Sequence, residues 1–126
     1  MWKAARRLIP RVSSLAHRST GDGLLRFGDL TIDPPRRLVL QGERVVDLTP
    51  REFALLELFV GNADRVLTRS ELYERVWGYD FGRSSNVLGV YVGYLRRKLE
   101  AENEPRVIQT ARGVGYVLRR VGEDSV

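Results

Sequence analysis

Asn86, Val87, Val90, Tyr91, Tyr94, Arg97 and Lys98 follow one another at steps of one and three residues, so on a helix they share one broad face. Their types suit a duplex nucleic acid. A carboxamide pairs with an adenine edge or a phosphate, valine packs on a thymine methyl, and a phenol reaches a base edge or the backbone. Arg97 continues the base-facing row, while Arg96 and Lys98, near the helix end, are assigned to phosphate. A basic helix end by itself also offsets the C-terminal dipole. What favours the groove reading is Arg112, a further cation between Ala111 and Gly113 on a stretch thin enough to enter a narrow minor groove.

Those residues need a frame. Leu88, Val92, Leu95 and Leu99 form the apolar seam that would turn the same helix, about 85–100 and capped by Ser84 or Ser85, toward a core. Gly89 and Gly93 interrupt it, and they would let the backbone approach either a neighbouring helix or a phosphate wall closely. Upstream, Thr49-Pro50-Arg51-Glu52 and Thr68-Arg69-Ser70-Glu71 are two capping boxes, so two helices begin there, ending at Gly61-Asn62 and Gly78. Before them "LLRFGDL", "LTID", "RLVLQG" and "ERVVDL" are short β-like runs separated by turn residues, which predicts a small antiparallel sheet. After the third helix "RVIQT" and "YVLRR" flank "ARGVG" as a hairpin. The order sheet, helix, helix, helix, hairpin is an α+β fold in which the last helix follows a helix-turn-helix arrangement.

With 126 residues, the chain has room for one small domain with a real core, and a single domain is the default reading. It contains no Cys, and its lone histidine, His17, sits in the basic N-terminal segment, so disulfides, Cys/His metal sites and histidine-based triads have no residues to build them. The net charge of +5 is unevenly placed: residues 22–82 hold eight bases and eleven acids, residues 83–120 eight bases and three acids. A polyanion facing the second half is the corresponding partner. No run approaches the ~18 apolar residues of a membrane span. The polar break "STGDG" divides a basic tail or linker, 1–22, from a domain over 23–120, with 121–126 as a C-terminal tail. The tail's Arg/Ser-rich composition overlaps with transit peptides and membrane-surface helices, but Pro10 interrupts any long helix in it.

From about Leu24 to Arg120 the chain resembles the winged-helix DNA-binding effector domain of OmpR/PhoB-type response regulators of bacterial two-component systems. The marks are "LTPREFALLELF", "VLTRSELYERVWGYDF", "NVLGVYVGYLRRKLE" and "IQTARGVGYVLRR", in that order. The resemblance implies a winged helix-turn-helix with an N-terminal antiparallel four-stranded sheet, three helices and a C-terminal β-hairpin wing. It implies sequence-specific binding of double-stranded DNA by a transcriptional regulator, without catalysis, cofactor or small-molecule substrate, in a bacterial cytoplasm. Val87, Val90, Tyr91 and Tyr94, with Asn86 at the helix start, would read the major groove. Trp77 through its indole N–H, Arg96 and Thr110 would anchor phosphates, and Arg112 would enter the minor groove. Direct-repeat half-sites, a head-to-tail dimer on DNA and an RNA polymerase contact through the 78–85 loop are the implied assembly. Two features depart from the family pattern: Gly89 stands where an acid is usual, and Gly93 and Tyr94 stand where many members carry bases. Such regulators also begin with a receiver domain, for which residues 1–23 are too few, although "RRLIPRVSSLAHRST" looks like its last helix and linker.

Two other functions compete. "RGVGY" is glycine-rich, yet it lacks the following Lys-Ser/Thr and the strand-to-helix context of a phosphate loop, which disfavours an enzyme. A winged-helix protein-interaction module, its basic face set against an acidic partner, is the alternative that remains.

Overall fold

The computed structural model describes residues 23–120; the tails at 1–22 and 121–126, and His17 with them, lie outside the described residues. Four short strands, β1 (Leu25–Phe27), β2 (Leu30–Asp33), β3 (Leu38–Gln41) and β4 (Arg44–Val45), pair in sequence order as an antiparallel meander. Asp33 organises the turn between β2 and β3, its carboxylate accepting from the Arg36 backbone N–H at 3.4 Å and the Arg36 guanidinium at 3.1 Å. The two prolines of that turn stay out of the sheet, as a missing N–H requires.

Both capping boxes form. Helix α1 (Pro50–Gly61) starts where Thr49 Oγ1 accepts from Glu52 N–H at 3.3 Å and Glu52 Oε1 accepts from Thr49 N–H at 3.0 Å. A two-residue strand, β5 (Leu67–Thr68), leads into α2 (Arg69–Trp77), whose Thr68 and Glu71 make the same exchange at 3.1 and 2.9 Å. Gly78 ends α2 in the left-handed conformation, φ 81°. Helix α3 (Val87–Leu99) follows the 78–86 loop, and β6 (Ile108–Ala111) and β7 (Gly115–Leu118) close the chain as a hairpin.

The short link between α1 and α2 is more than a connection: Leu67 pairs with Tyr116 and Thr68 with Gly115, so the hairpin belongs to a three-stranded sheet of order β5-β7-β6. The hairpin strands also sit closer to their turn than the expected 106–110 and 116–120, because Ala111 and Gly115 still pair across it. One core joins all of this. Leu55, Leu56 and Phe59 of α1, Leu72 and Tyr73 of α2 and the α3 seam Leu88, Val92, Leu95 and Leu99 meet Leu30, Ile32 and Val39 of the first sheet and Ile108 and Leu118 of the second.

Candidate nucleic-acid interface

The start of α3 is set by its neighbour. Asn86 occupies the N-cap position, yet its side chain makes no capping hydrogen bond. Ser85 Oγ accepts from Val87 N–H at 3.3 Å, and the Tyr73 hydroxyl, 0 % exposed as a residue, accepts from Leu88 N–H at 3.1 Å while donating to Ser85 Oγ at 3.1 Å. The expected Ser84 or Ser85 cap is thus half right: Ser85 contributes, one residue before the cap, and α2 supplies the other acceptor. Arg69 holds the preceding loop by donating to the Gly82 and Ser85 carbonyls, both at 3.2 Å. Asp80 holds it from the other side, and the Gly82 N–H and Ser70 hydroxyl keep its carboxyl below the ordinary range.

Each residue of a helix turns through about 100°. With the seam Leu88, Val92, Leu95 and Leu99 facing the core, the opposite side of α3 presents Asn86, Val90, Gly93, Tyr94 and Arg97. Val90 and Tyr94 are each 38 % exposed, while Val87 and Tyr91 are half-buried on the flank toward α2. Tyr91 stands edge-on to Trp77, centroids 5.3 Å apart, Tyr94 packs on Tyr91 at 5.4 Å, and the Arg97 guanidinium lies 5.7 Å from the Tyr94 ring centre. These contacts make a continuous ridge from α2 across α3. Arg51 covers the Trp77 ring and donates to the Val76 carbonyl at 2.8 Å. The Trp77 indole N–H has no acceptor among the described residues, so it is free to take one from outside.

The other flank of α3 carries the hairpin. Arg96 donates from Nε and Nη2 to the Ile108 carbonyl at 3.0 and 2.8 Å, and from Nη2 to Thr110 Oγ1 at 3.0 Å. Partial burial, and then the Arg106 charge, lower its pKa. Arg96 and Thr110 are therefore one unit that fastens wing to helix. Arg69 N–H donates to the Val114 carbonyl at 3.1 Å, which ties the hairpin turn to α2. Arg112 is exposed on that turn, and it, Arg83 and Arg97 have no carboxylate partner among the described residues.

Lys98 is placed differently from the expectation. Its ammonium donates to Glu52 Oε1 at 2.7 Å and to the Asp47 carbonyl at 3.0 Å, and Arg44 of β4 donates to the Lys98 carbonyl at 3.4 Å while pairing with Glu104 at 2.7 Å. Burial alone would raise the Glu52 carboxyl, but the Lys98 ammonium and the Thr49 N–H hold it below its ordinary value. Lys98 is a fastening between α3 and the start of α1. It does not join the outward row because the Glu52 carboxylate and the Asp47 carbonyl are within its reach and accept charge-assisted hydrogen bonds.

Among the described residues, Gly89 and Gly93 pack against no helix. A Cβ at Gly93 would have nothing within 4 Å, and one at Gly89 only the Tyr116 hydroxyl at 3.8 Å, which removes the helix-packing alternative. Tyr116, Tyr73 and Arg69 are the residues that pattern reading missed. Each acts across the fold, and only the run of small residues around Tyr116 marked its strand as a place of close approach. In the 78–86 loop Tyr79 is 64 % and Phe81 37 % exposed, and an open cleft lined by Arg69, Asp80, Arg83 and the 113–116 segment separates this loop from the hairpin.

Three helices on an antiparallel sheet, with a hairpin fastened along the last helix, define a winged helix-turn-helix. The family model described as "Transcriptional regulatory protein, C terminal" matches residues 42–118, so the chain belongs to that family, the effector domains of OmpR/PhoB type. Response regulator MprA of Mycobacterium tuberculosis is 53% identical over 121 residues, covering 92% of this chain and 53% of the relative. MprA of Mycolicibacterium vanbaalenii is 52% identical over 122 residues with the same coverage, so the chain spans about half the length of the curated relatives it matches. Among solved structures, the Klebsiella pneumoniae RstA DNA-binding domain in complex with the RstA box superposes with TM-score 0.70 at 31% identity, covering 76% of this chain and 96% of that one. Response regulator DrrB, a Thermotoga maritima OmpR/PhoB homolog, gives 0.66 at 31%, over 91% of this chain and 52% of that one.

Proposed function

We propose that this domain binds double-stranded DNA sequence-specifically as the output part of a bacterial cytoplasmic transcriptional regulator. Helix α3 lies in the major groove, with Asn86, Val90, Tyr94 and Arg97 toward base edges and Val87 and Tyr91 on the flank. Trp77, Arg96 and Thr110 contact phosphate, and Arg112 enters the minor groove. Lys98 has a structural role and leaves the contact set. Support comes from the RstA complex with its DNA box, from MprA being a response regulator, and above all from one observation: the outward side of α3 carries exposed aliphatic, aromatic and cationic groups whose side chains make no hydrogen bond or ion pair among the described residues. Direct-repeat half-sites, a head-to-tail dimer and a polymerase contact through the exposed Tyr79 and Phe81 belong to the same proposal.

Selection from random duplex oligonucleotides tests it. The expected result is a defined half-site bound with an affinity that falls with salt, with a log–log slope of about −0.9 per phosphate neutralised. Enrichment of no sequence, with salt-independent retention, would overturn the reading and favour the acidic-protein partner.

A further inference from the structure

Gly93 serves no purpose inside the described fold. Its surroundings leave a Cβ in open space and its φ is not in the left-handed region, so alanine fits the position without strain. Glycine in a helix interior is less stable than alanine because it loses more backbone freedom on folding. The helix would gain from the change, so whatever the missing side chain serves lies outside the described residues.

Position 93 lies at the edge of the outward side of α3, on the flank toward Arg96 and the hairpin, one turn after Val90 and one turn before Arg97. Val90, 38 % exposed, rises one turn before it and Arg97 one turn after it, and a Cβ at 93 would meet nothing within 4 Å, which leaves a spot without side-chain atoms beside an isopropyl group. The floor of that spot is helix backbone whose polar groups are used within the helix. It offers no donor or acceptor to a polar base edge, and it is open to an apolar protrusion. Among the groups a major groove displays, that protrusion is the 5-methyl of thymine.

We infer that Gly93 is a specificity-determining residue whose absent side chain seats a thymine methyl of the half-site, with Val90 as its wall. The inference rests on the DNA-binding reading and deepens it. A side chain at 93, even a methyl, would occupy the volume that the thymine methyl fills.

The experiment pairs one protein change with one DNA change. The half-site selected by the wild-type chain is remade with each thymine replaced in turn by deoxyuridine, which deletes the methyl and nothing else. Wild type and Gly93→Ala are then titrated on every duplex. At one position wild type loses about fourfold, the worth of one buried methyl. Gly93→Ala binds the thymine duplex at least fourfold more weakly than wild type, and at that same position it gains rather than loses on deoxyuridine. Its Tm rises by about 4 °C, which separates lost affinity from lost fold. Unchanged affinity of Gly93→Ala for the thymine duplex, or the same thymine-to-deoxyuridine ratio as wild type at every position, would overturn the inference. So would a selected site in which no thymine is sensitive. Failure of the underlying reading shows earlier and separately, as wild type enriching no duplex sequence at all.

Discussion

The joint between α2 and the hairpin and the outward side of α3 are built on opposite terms. In the joint, neighbours dictate residue type: Gly115 leaves no room for a Cβ, which would run into the Leu67 carbonyl oxygen and lie 2.9 Å from Thr68 Cα. Thr68 caps α2, and the buried Tyr73 hydroxyl caps α3. On the outward side nothing in the described chain dictates type: Asn86 caps nothing with its side chain, a Cβ at Gly93 would meet nothing within 4 Å, and Arg97, like Arg112 on the hairpin turn, has no carboxylate partner among the described residues. The difference separates residues whose type the fold dictates from residues for which the described fold gives no reason.

Gly115→Ala should break the joint most. Backbone stands where the new methyl would go, so the β5–β7 pair has to open, and the expected loss is about 3 kcal/mol. Urea unfolding measures it; a loss below about 1 kcal/mol would show that the joint yields and that it differs little from Gly93. Tyr73→Phe comes next. It keeps the ring in the core and removes the oxygen that accepts from Leu88 N–H, leaving a buried donor unsatisfied at a cost of about 2 kcal/mol. Thermal unfolding checks the cost, and DNA titration of the folded variant should also show weaker binding, because the start of α3 is then held by Ser85 alone.

The same division explains what the sequence made readable. Both Thr-x-x-Glu boxes were legible because a cap and its glutamate are three residues apart, and the α3 seam because 88, 92, 95 and 99 follow the helical period. The partner of Leu88 N–H is fifteen residues upstream, and no local pattern announces a tyrosine as a cap. Strand β5 is two residues long, too short to show alternation, and it exists only because Gly115 lets β7 come close. Glu52 was read with one role, the capping box, and it has two. That second bond is what takes Lys98 off the outward row, although the period placed it beside Tyr94. Arg96 and Thr110 were legible as individuals; that they form one unit is a matter of tertiary contact.

Glu52→Gln sharpens the comparison with a smaller effect. Glutamine preserves the capping geometry and removes the charge opposite Lys98, so the loss near neutral pH should be about 1 kcal/mol, modest because the Lys98 side chain is 37 % exposed. The Glu52 pKa is depressed in the folded state, so its contribution is present above the ordinary value of 4.5 and disappears as pH falls through the lower folded value. Denaturation midpoints measured downward from pH 5 should fall less steeply in the variant than in wild type. Equal slopes would mean that the Lys98 contact adds nothing to the fold.

Arg97→Ala should have the smallest effect on stability, and for that reason it is the sharpest test of the outward side. The guanidinium makes no ion pair among the described residues, and its contact with the Tyr94 ring, 5.7 Å away in a solvent-exposed setting, is worth little, so unfolding should change by less than about 0.5 kcal/mol. Affinity for the selected half-site should nevertheless fall by about 1 kcal/mol, with discrimination relaxed at one base pair if the contact is to a base edge. The neighbouring Lys98, one residue on, has both its partners inside the molecule and belongs to the fold. Two adjacent cations of the same helix thus divide along the line that separates joint from outward side. A measurable stability loss for Arg97→Ala without loss of affinity would place Arg97 with Lys98 and erase that line at its most exposed point.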